Sequence, residues 1–200
     1  MTKLSSICVY CGSSPGARPS YLEAAQRVGA DMAAAGARLV YGGGDVGLMG
    51  AVARSVIDHG GSVTGIIPKF LQRRERMLTA VEDLIVTVDM HERKRLMFER
   101  ADAFVALPGG VGTLEELVEQ LTWAQLGQHR KPVVLANIDG FWTKLLALLE
   151  HMREEGFIPR ERAVDYLVAD RAEDVVPLIR QALAGVEEAE LSMSVSPGVL

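Results

Sequence analysis

Three glycine-rich stretches follow directly behind strand-forming runs, and most of the chemistry available to this sequence sits on them. They are Gly12-Ser13-Ser14, Gly42-Gly43-Gly44 and Gly109-Gly110-Val111-Gly112-Thr113. Glycine turns let backbone N–H groups approach a ligand with no Cβ in the way. The free N–H groups and dipole at the start of a following helix favour an anion. The expected ligand is a small molecule bearing a phosphate.

The run from Pro108 to Glu116, PGGVGTLEE, is the most informative. It reads as a phosphate-binding loop entering a helix over 113–126. It is not a Walker A motif, because no Lys precedes Thr113 and the spacing differs. Thr113 either donates its hydroxyl to the ligand or caps the helix. Glu116 likewise has two readings. In Thr113-x-x-Glu116 it completes a capping box. Alternatively it lies one turn beyond the phosphate, where a phosphorylated sugar would extend. Glu115, Glu116 and Glu119 crowd these turns more than the dipole requires.

A second segment, Met90-His91-Glu92-Arg93-Lys94-Arg95, opens another helix at the same edge. Cations are disfavoured at a helix N-terminus. Either an anionic ligand offsets them, or Glu92, Glu99 and Asp102 make this a solvated charged face. Lys69, Arg73, Arg74 and Arg76 with Glu75 form a further basic cluster of local charge +3, a candidate second wall for the pocket. Residues 42–47 (GGGDVG) match G-x-G-x-x-G, but after the second strand and without an acidic residue at the end of the third. That favours a phosphate or nucleotide use other than dinucleotide binding, with a purely structural turn as the alternative. Cys8 lies within a strand, so Cys8-x-x-Cys11 reads as buried small residues rather than a redox centre. His59, His91, His129 and His151 form no ligand-like cluster for a metal.

Positioning these residues requires strands of four to eight residues alternating with longer helices. Strands are expected at 4–11, 38–41, 62–67, 84–88, 103–107 and 132–136, with a weak extended piece at 164–168. Helices fall between them, with capping boxes expected at Ser20/Glu23 and Asp170/Glu173. Residues 69–83 read as partly helical and exposed. The alternation predicts an α/β, Rossmann-like fold: a mostly parallel sheet with helices on both faces. The expectation is one nucleotide-monophosphate-binding domain over 1–185 and a flexible tail over 186–200, where the composition turns acidic and then Ser/Pro/Gly-rich. Apolar residues ring much of the helix bearing Leu117, Val118, Leu121, Trp123 and Leu126, so it is expected to be covered either by the rest of the protein or by a partner subunit in a helical dimer interface.

Composition agrees. The chain has 200 residues, 48% hydrophobic and 24% charged, enough for a single well-buried core. A net charge of −5 argues against a nucleic-acid coat while leaving room for a local basic pocket. No apolar run is long enough to span a membrane, and the N-terminus lacks the features of a signal peptide. A cytoplasmic protein is expected.

The combination of M-H-x-R-K (Met90 to Lys94) with P-G-G-x-G-T-x-x-E (Pro108 to Glu116), together with Tyr41-Gly42-Gly43-Gly44 and Gly47-Leu48-Met49-Gly50, resembles the LOG ("lonely guy") family. These are cytokinin riboside 5'-monophosphate phosphoribohydrolases, often mislabelled lysine decarboxylases. The likeness spans about 6–183. It implies hydrolysis of the N-glycosidic bond of N6-modified adenosine 5'-monophosphates. Under it, Arg93 and Glu116 are the catalytic pair, and Gly110, Gly112 and Thr113 hold the 5'-phosphate. Val111, Leu114 and Glu115 complete that loop, while Lys94 and Glu75 line the substrate site. It implies a homodimer or larger assembly and no metal or cofactor. A general AMP nucleosidase and a non-catalytic nucleotide-binding module remain as alternatives. A lysine decarboxylase has no support, because nothing read here marks a Schiff-base lysine with a pyridinium partner.

Overall fold

The computed structural model describes residues 4–72, 78, 81, 83–159 and 165–194. Seven strands form one sheet in the order β4-β3-β2-β1-β5-β6-β7, and every neighbouring pair is parallel. The strands are β1 (Ser6–Tyr10), β2 (Arg38–Tyr41), β3 (Val63–Pro68), β4 (Asp83–Thr87), β5 (Ala103–Ala106), β6 (Val133–Ala136) and β7 (Leu167–Ala169). The helices are α1 (Pro19–Ala34), α2 (Gly47–Asp58), the single turn α3 (Lys69–Gln72), α4 (Met90–Glu99), α5 (Val111–Gln125), α6 (Thr143–Glu154) and α7 (Val175–Ser194). The Rossmann-like α/β expectation holds.

Period-two alternation sorts the strand side chains into two cores. Ile7, Val9, Leu39 and Tyr41 pack with Val28, Met32, Val52 and Ile179 from α1, α2 and α7. Cys8, Tyr10, Val40 and Phe104 face the other way, onto Met97, Leu117, Leu121 and Trp142 from α4, α5 and the approach to α6. Leu117 is fully buried, which removes enough apolar surface from water to contribute roughly 2 kcal/mol. It anchors the helix that carries Glu116.

Two expected capping boxes do not form. Pro19 sets the first turn of α1, so Arg18 becomes the N-cap, without a side-chain cap bond. The Ser20 hydroxyl instead donates to Asp139 Oδ2 at 2.5 Å. Asp170 accepts from Asn137 Nδ2 at 3.0 Å, tying the end of β7 to the end of β6. The composition shift near 186 does not end α7, whose backbone stays helical to Ser194.

Strand order fixes where a ligand can sit. β1 is flanked by β2 on one side and β5 on the other, so successive crossovers leave it in opposite directions. That creates a crevice beyond its carboxyl end. The three glycine-rich turns meet there. Gly12 N–H donates to Pro108 O at 3.0 Å, and Leu48 N–H donates to Gly12 O at 3.0 Å. Gly47 has φ +61°, and a Cβ on it would lie 2.3 Å from the Ser13 carbonyl carbon. Only glycine fits that joint.

Candidate active site

Helix α5 begins at Val111, two residues earlier than expected, with Gly110 as an extended N-cap that supplies no side-chain cap bond. The first turn therefore keeps its N–H groups uncapped by any side chain. A Cβ built on Gly110 or Gly112 meets nothing within 4 Å, so both glycines border open space. Thr113 becomes the third helical residue and is buried, so it does not cap the helix, and Thr113-x-x-Glu116 is not a capping box. Its side chain lies against Gly109, where a Cβ would come within 2.2 Å of Thr113 Oγ1. Gly109 is thus needed for the loop to close over Thr113, which the sequence did not single out.

Arg93 enters from α4. Asp89 caps that helix by accepting from Glu92 N–H at 2.8 Å, and Glu92 Oε2 accepts from Val88 N–H at 2.7 Å. This reciprocal box settles the first turn, and the cations beyond it then diverge. His91 and Arg95 are exposed. Arg93 is 8% exposed, and its Nε donates to Ile66 O at 3.1 Å at the end of β3. Its guanidinium lies against Gly42, where a Cβ would fall 2.3 Å from Nη2. No ion pair to Arg93 occurs among the described residues. A buried cation without a counter-charge is costly unless an anion arrives.

Glu116 is half-buried on α5. Burial pushes its carboxyl up to about 7, and the nearby carboxylates Glu115 and Glu119 push the same way. The charges on Arg93 and Lys94 act against that rise. Glu116 therefore changes charge near neutral pH, as groups at working sites often do.

Lys94 and Glu115, both expected at the substrate, are paired with each other in the free protein. Lys94 Nζ lies 2.7 Å from Glu115 Oε1 and 2.9 Å from Glu119 Oε1. Burial opposes the charge on Lys94, yet these two pairs hold its pKa above the ordinary value. Val111 is exposed at the loop tip, whereas Leu114 packs onto the core below and its N–H donates to Gly110 O at 3.0 Å. Glu75, Arg73, Arg74 and Arg76 lie outside the described residues, and Lys69 is exposed on α3. The GGGDVG segment works as a joint: Gly42 makes room for Arg93, and Gly47 for Ser13. Cys8 and Cys11 are free and buried, and burial raises both thiols well above their ordinary range, which makes them inert. No group of three or more His, Cys, Asp or Glu side chains converges as metal ligands among the described residues. Nor is any described helix long and apolar enough to cross a membrane.

Fold and site together define a Rossmann-like protein with an anion-ready helix terminus, a buried guanidinium and a carboxyl poised near neutrality. The chain belongs to the LOG family. A family model described as "Possible lysine decarboxylase" matches residues 49–179. Cytokinin riboside 5'-monophosphate phosphoribohydrolase LOG7 of Arabidopsis thaliana is 53% identical over 152 residues, covering 76% of this chain and 70% of that protein. The enzyme LOG of Oryza sativa subsp. japonica is 48% identical over 170 residues, covering 85% and 70%. Among solved structures, a molybdenum cofactor binding protein from Rippkaea orientalis superposes with a TM-score of 0.69 at 26% identity, over 92% of this chain and 99% of its own. A molybdenum cofactor carrier protein from Chlamydomonas reinhardtii, at 22% identity and TM-score 0.68 over 90% and 98%, shares the fold.

Two outcomes follow. Gly42→Ala must displace the Arg93 guanidinium, so affinity for AMP, measured by calorimetry, falls by about tenfold with an unchanged circular dichroism spectrum. Unchanged affinity would contradict the contact. For Glu116, the native carboxyl holds its proton up to about 7 whereas the ordinary value is 4.5, so the fold loses stability as pH rises through that window. Glu116→Gln removes the loss. It should gain roughly 3 kcal/mol over the wild type above that window and nothing below it, read from urea melts at several pH values.

Proposed function

We propose that this protein hydrolyses the N-glycosidic bond of N6-modified adenosine 5'-monophosphates, releasing the free base and ribose 5-phosphate. Its identity to cytokinin riboside 5'-monophosphate phosphoribohydrolases supports the substrate class. The observation that carries the chemistry is the buried Arg93, without an ionic partner among the described residues, beside a carboxyl that titrates near 7.

In this reading the 5'-phosphate rests on the uncapped N–H groups of Gly110, Val111, Gly112 and Thr113, while Leu114, whose N–H donates to Gly110 O at 3.0 Å, closes the turn beneath them. The dipole of α5 favours the charge. Arg93 supplies the missing counter-charge with a rigid fork of donors. Binding the remote phosphate positions the sugar and contributes energy toward the transition state. As the C1'–N9 bond breaks, its electron pair leaves with the purine and positive charge spreads over C1' and the ring oxygen. Ionised Glu116 stabilises that charge and orients the water whose oxygen bonds to C1'. One proton of that water is released, and the departing base gains one. Glu75 completes the sugar site in this proposal.

The proposal extends to a homodimer. Val118 on α5, Leu126 at its C-terminal cap, and Leu148 and Met152 on α6 are exposed apolar side chains, while Trp123 is engaged within the chain against Phe98. Sedimentation is expected to give twice the chain mass and Leu126→Asp to give monomer. A monomeric wild type would overturn the dimer.

The activity is tested by product analysis with N6-isopentenyl-AMP, AMP and the two dephosphorylated nucleosides. Base release is expected from the monophosphates alone, faster for the N6-modified one, and Glu116→Gln should lower kcat by at least about 100-fold. Equal release from the nucleosides, or full turnover by Glu116→Gln, would overturn the assignment. Equal rates for AMP and its N6-modified form would point to a general AMP nucleosidase.

A further inference from the structure

We infer that Glu119, acting through Lys94, is a positioning residue that fixes the Arg93–Glu116 pair by tying α4 to α5. This rests on the proposed role of Glu116. The two side chains of that pair are carried on different helices with different supports. α4 packs chiefly on β3 and β4, whereas α5 packs on β1 and β5. Lys94 is the next residue after Arg93, and Glu115 immediately precedes Glu116. The bridge from Lys94 Nζ to Glu115 Oε1 at 2.7 Å and Glu119 Oε1 at 2.9 Å therefore joins the helices one residue from Arg93 on α4, and one and three residues from Glu116 on α5.

The two carboxylates are not equivalent. The Glu115 side chain is 53% exposed, and a pair with such a group is screened by water and weak. The Glu119 side chain is 20% exposed, and its Oε2 is buried with no hydrogen-bond partner. An orphaned carboxylate oxygen opposes folding. Among the described residues only the ion pair with Lys94 offsets that cost at this carboxylate, so Glu119 is the arm that sets where Lys94 sits.

The same arrangement balances charge around Glu116. Arg93 and Lys94 face it from α4, and Glu115 and Glu119 from its own helix. From β1 and the turn after it, Cys8, Tyr10 and Cys11 face it too, and burial keeps all three neutral. Glu119 raises the proton affinity of Glu116 and Lys94 lowers it. Removing them one at a time must move the titration of Glu116 in opposite directions.

The experiment is the pH profile of kcat/KM for N6-isopentenyl-AMP in the wild type, Glu119→Gln, Lys94→Met, Lys94→Arg and the double variant Lys94→Met/Glu119→Gln. The titration of the substrate phosphate is common to all five and cancels in the comparison. Relative to the wild type, Glu119→Gln is expected to move the acid limb down by about half a pH unit and lower kcat several-fold with little change in KM. Lys94→Met should move the limb up by a similar amount. The double variant should return it toward the wild-type position, and Lys94→Arg should keep it there. Superimposable limbs in Glu119→Gln and Lys94→Met, each folded by thermal melt, would overturn the inference while leaving Glu116 in its role. Retained turnover in Glu116→Gln would remove the reading beneath it.

Discussion

A buried guanidinium at the same sheet edge as an uncapped helix terminus is the constraint from which the proposed site follows. Arg93 is held at Nε by the Ile66 carbonyl and pressed against Gly42, so its position is decided by the sheet rather than by a ligand. Desolvating a fixed cation without an ionic partner among the described residues is unfavourable in the free protein. In the proposed reading a bound phosphate reverses the balance, bringing the counter-charge and satisfying the open first turn of α5. Preorganisation of this kind moves the cost of assembling the site into folding, so little remains to be spent when substrate arrives.

The fold places those two elements together through topology. β1 is the strand where the chain changes direction, and its following turn touches both the β5 loop, through Gly12 and Pro108, and the start of α2, through Gly12 and Leu48. α4 then leaves the edge strand β4 and returns over β3, carrying Arg93 to the end of that strand. Residues far apart in sequence therefore meet at one sheet edge. Glu116 illustrates the tension that results: burial raises its proton affinity, which costs the fold stability at the pH where the ionised form is wanted.

Much of this was legible in the residue pattern. Strand and helix alternation sufficed for the parallel sheet, because buried parallel strands are short apolar runs and their crossovers must be helical. The glycine turns were expected at the carboxyl ends of the strands, and they meet beyond the end of β1. Three features were not legible. Cap positions shifted at α1 and α5 because Pro19 and Gly110 suit helix starts better than Ser20 and Thr113 suit caps. The pairing of Lys94 with Glu115 was hidden, since nothing in linear spacing reveals that two helices bring them within 2.7 Å of each other. Gly42 and Gly109 owe their importance to the side chains lying against them, a property of three-dimensional packing alone.

The central claim is tested most directly by a crystal structure of the Glu116→Gln variant with N6-isopentenyl-AMP. The account predicts the phosphate on the N–H groups of residues 110–113, with the Arg93 fork reaching it and the amide of residue 116 beside C1'. A nucleotide seated elsewhere, or an Arg93 side chain with no contact to it, would contradict the account.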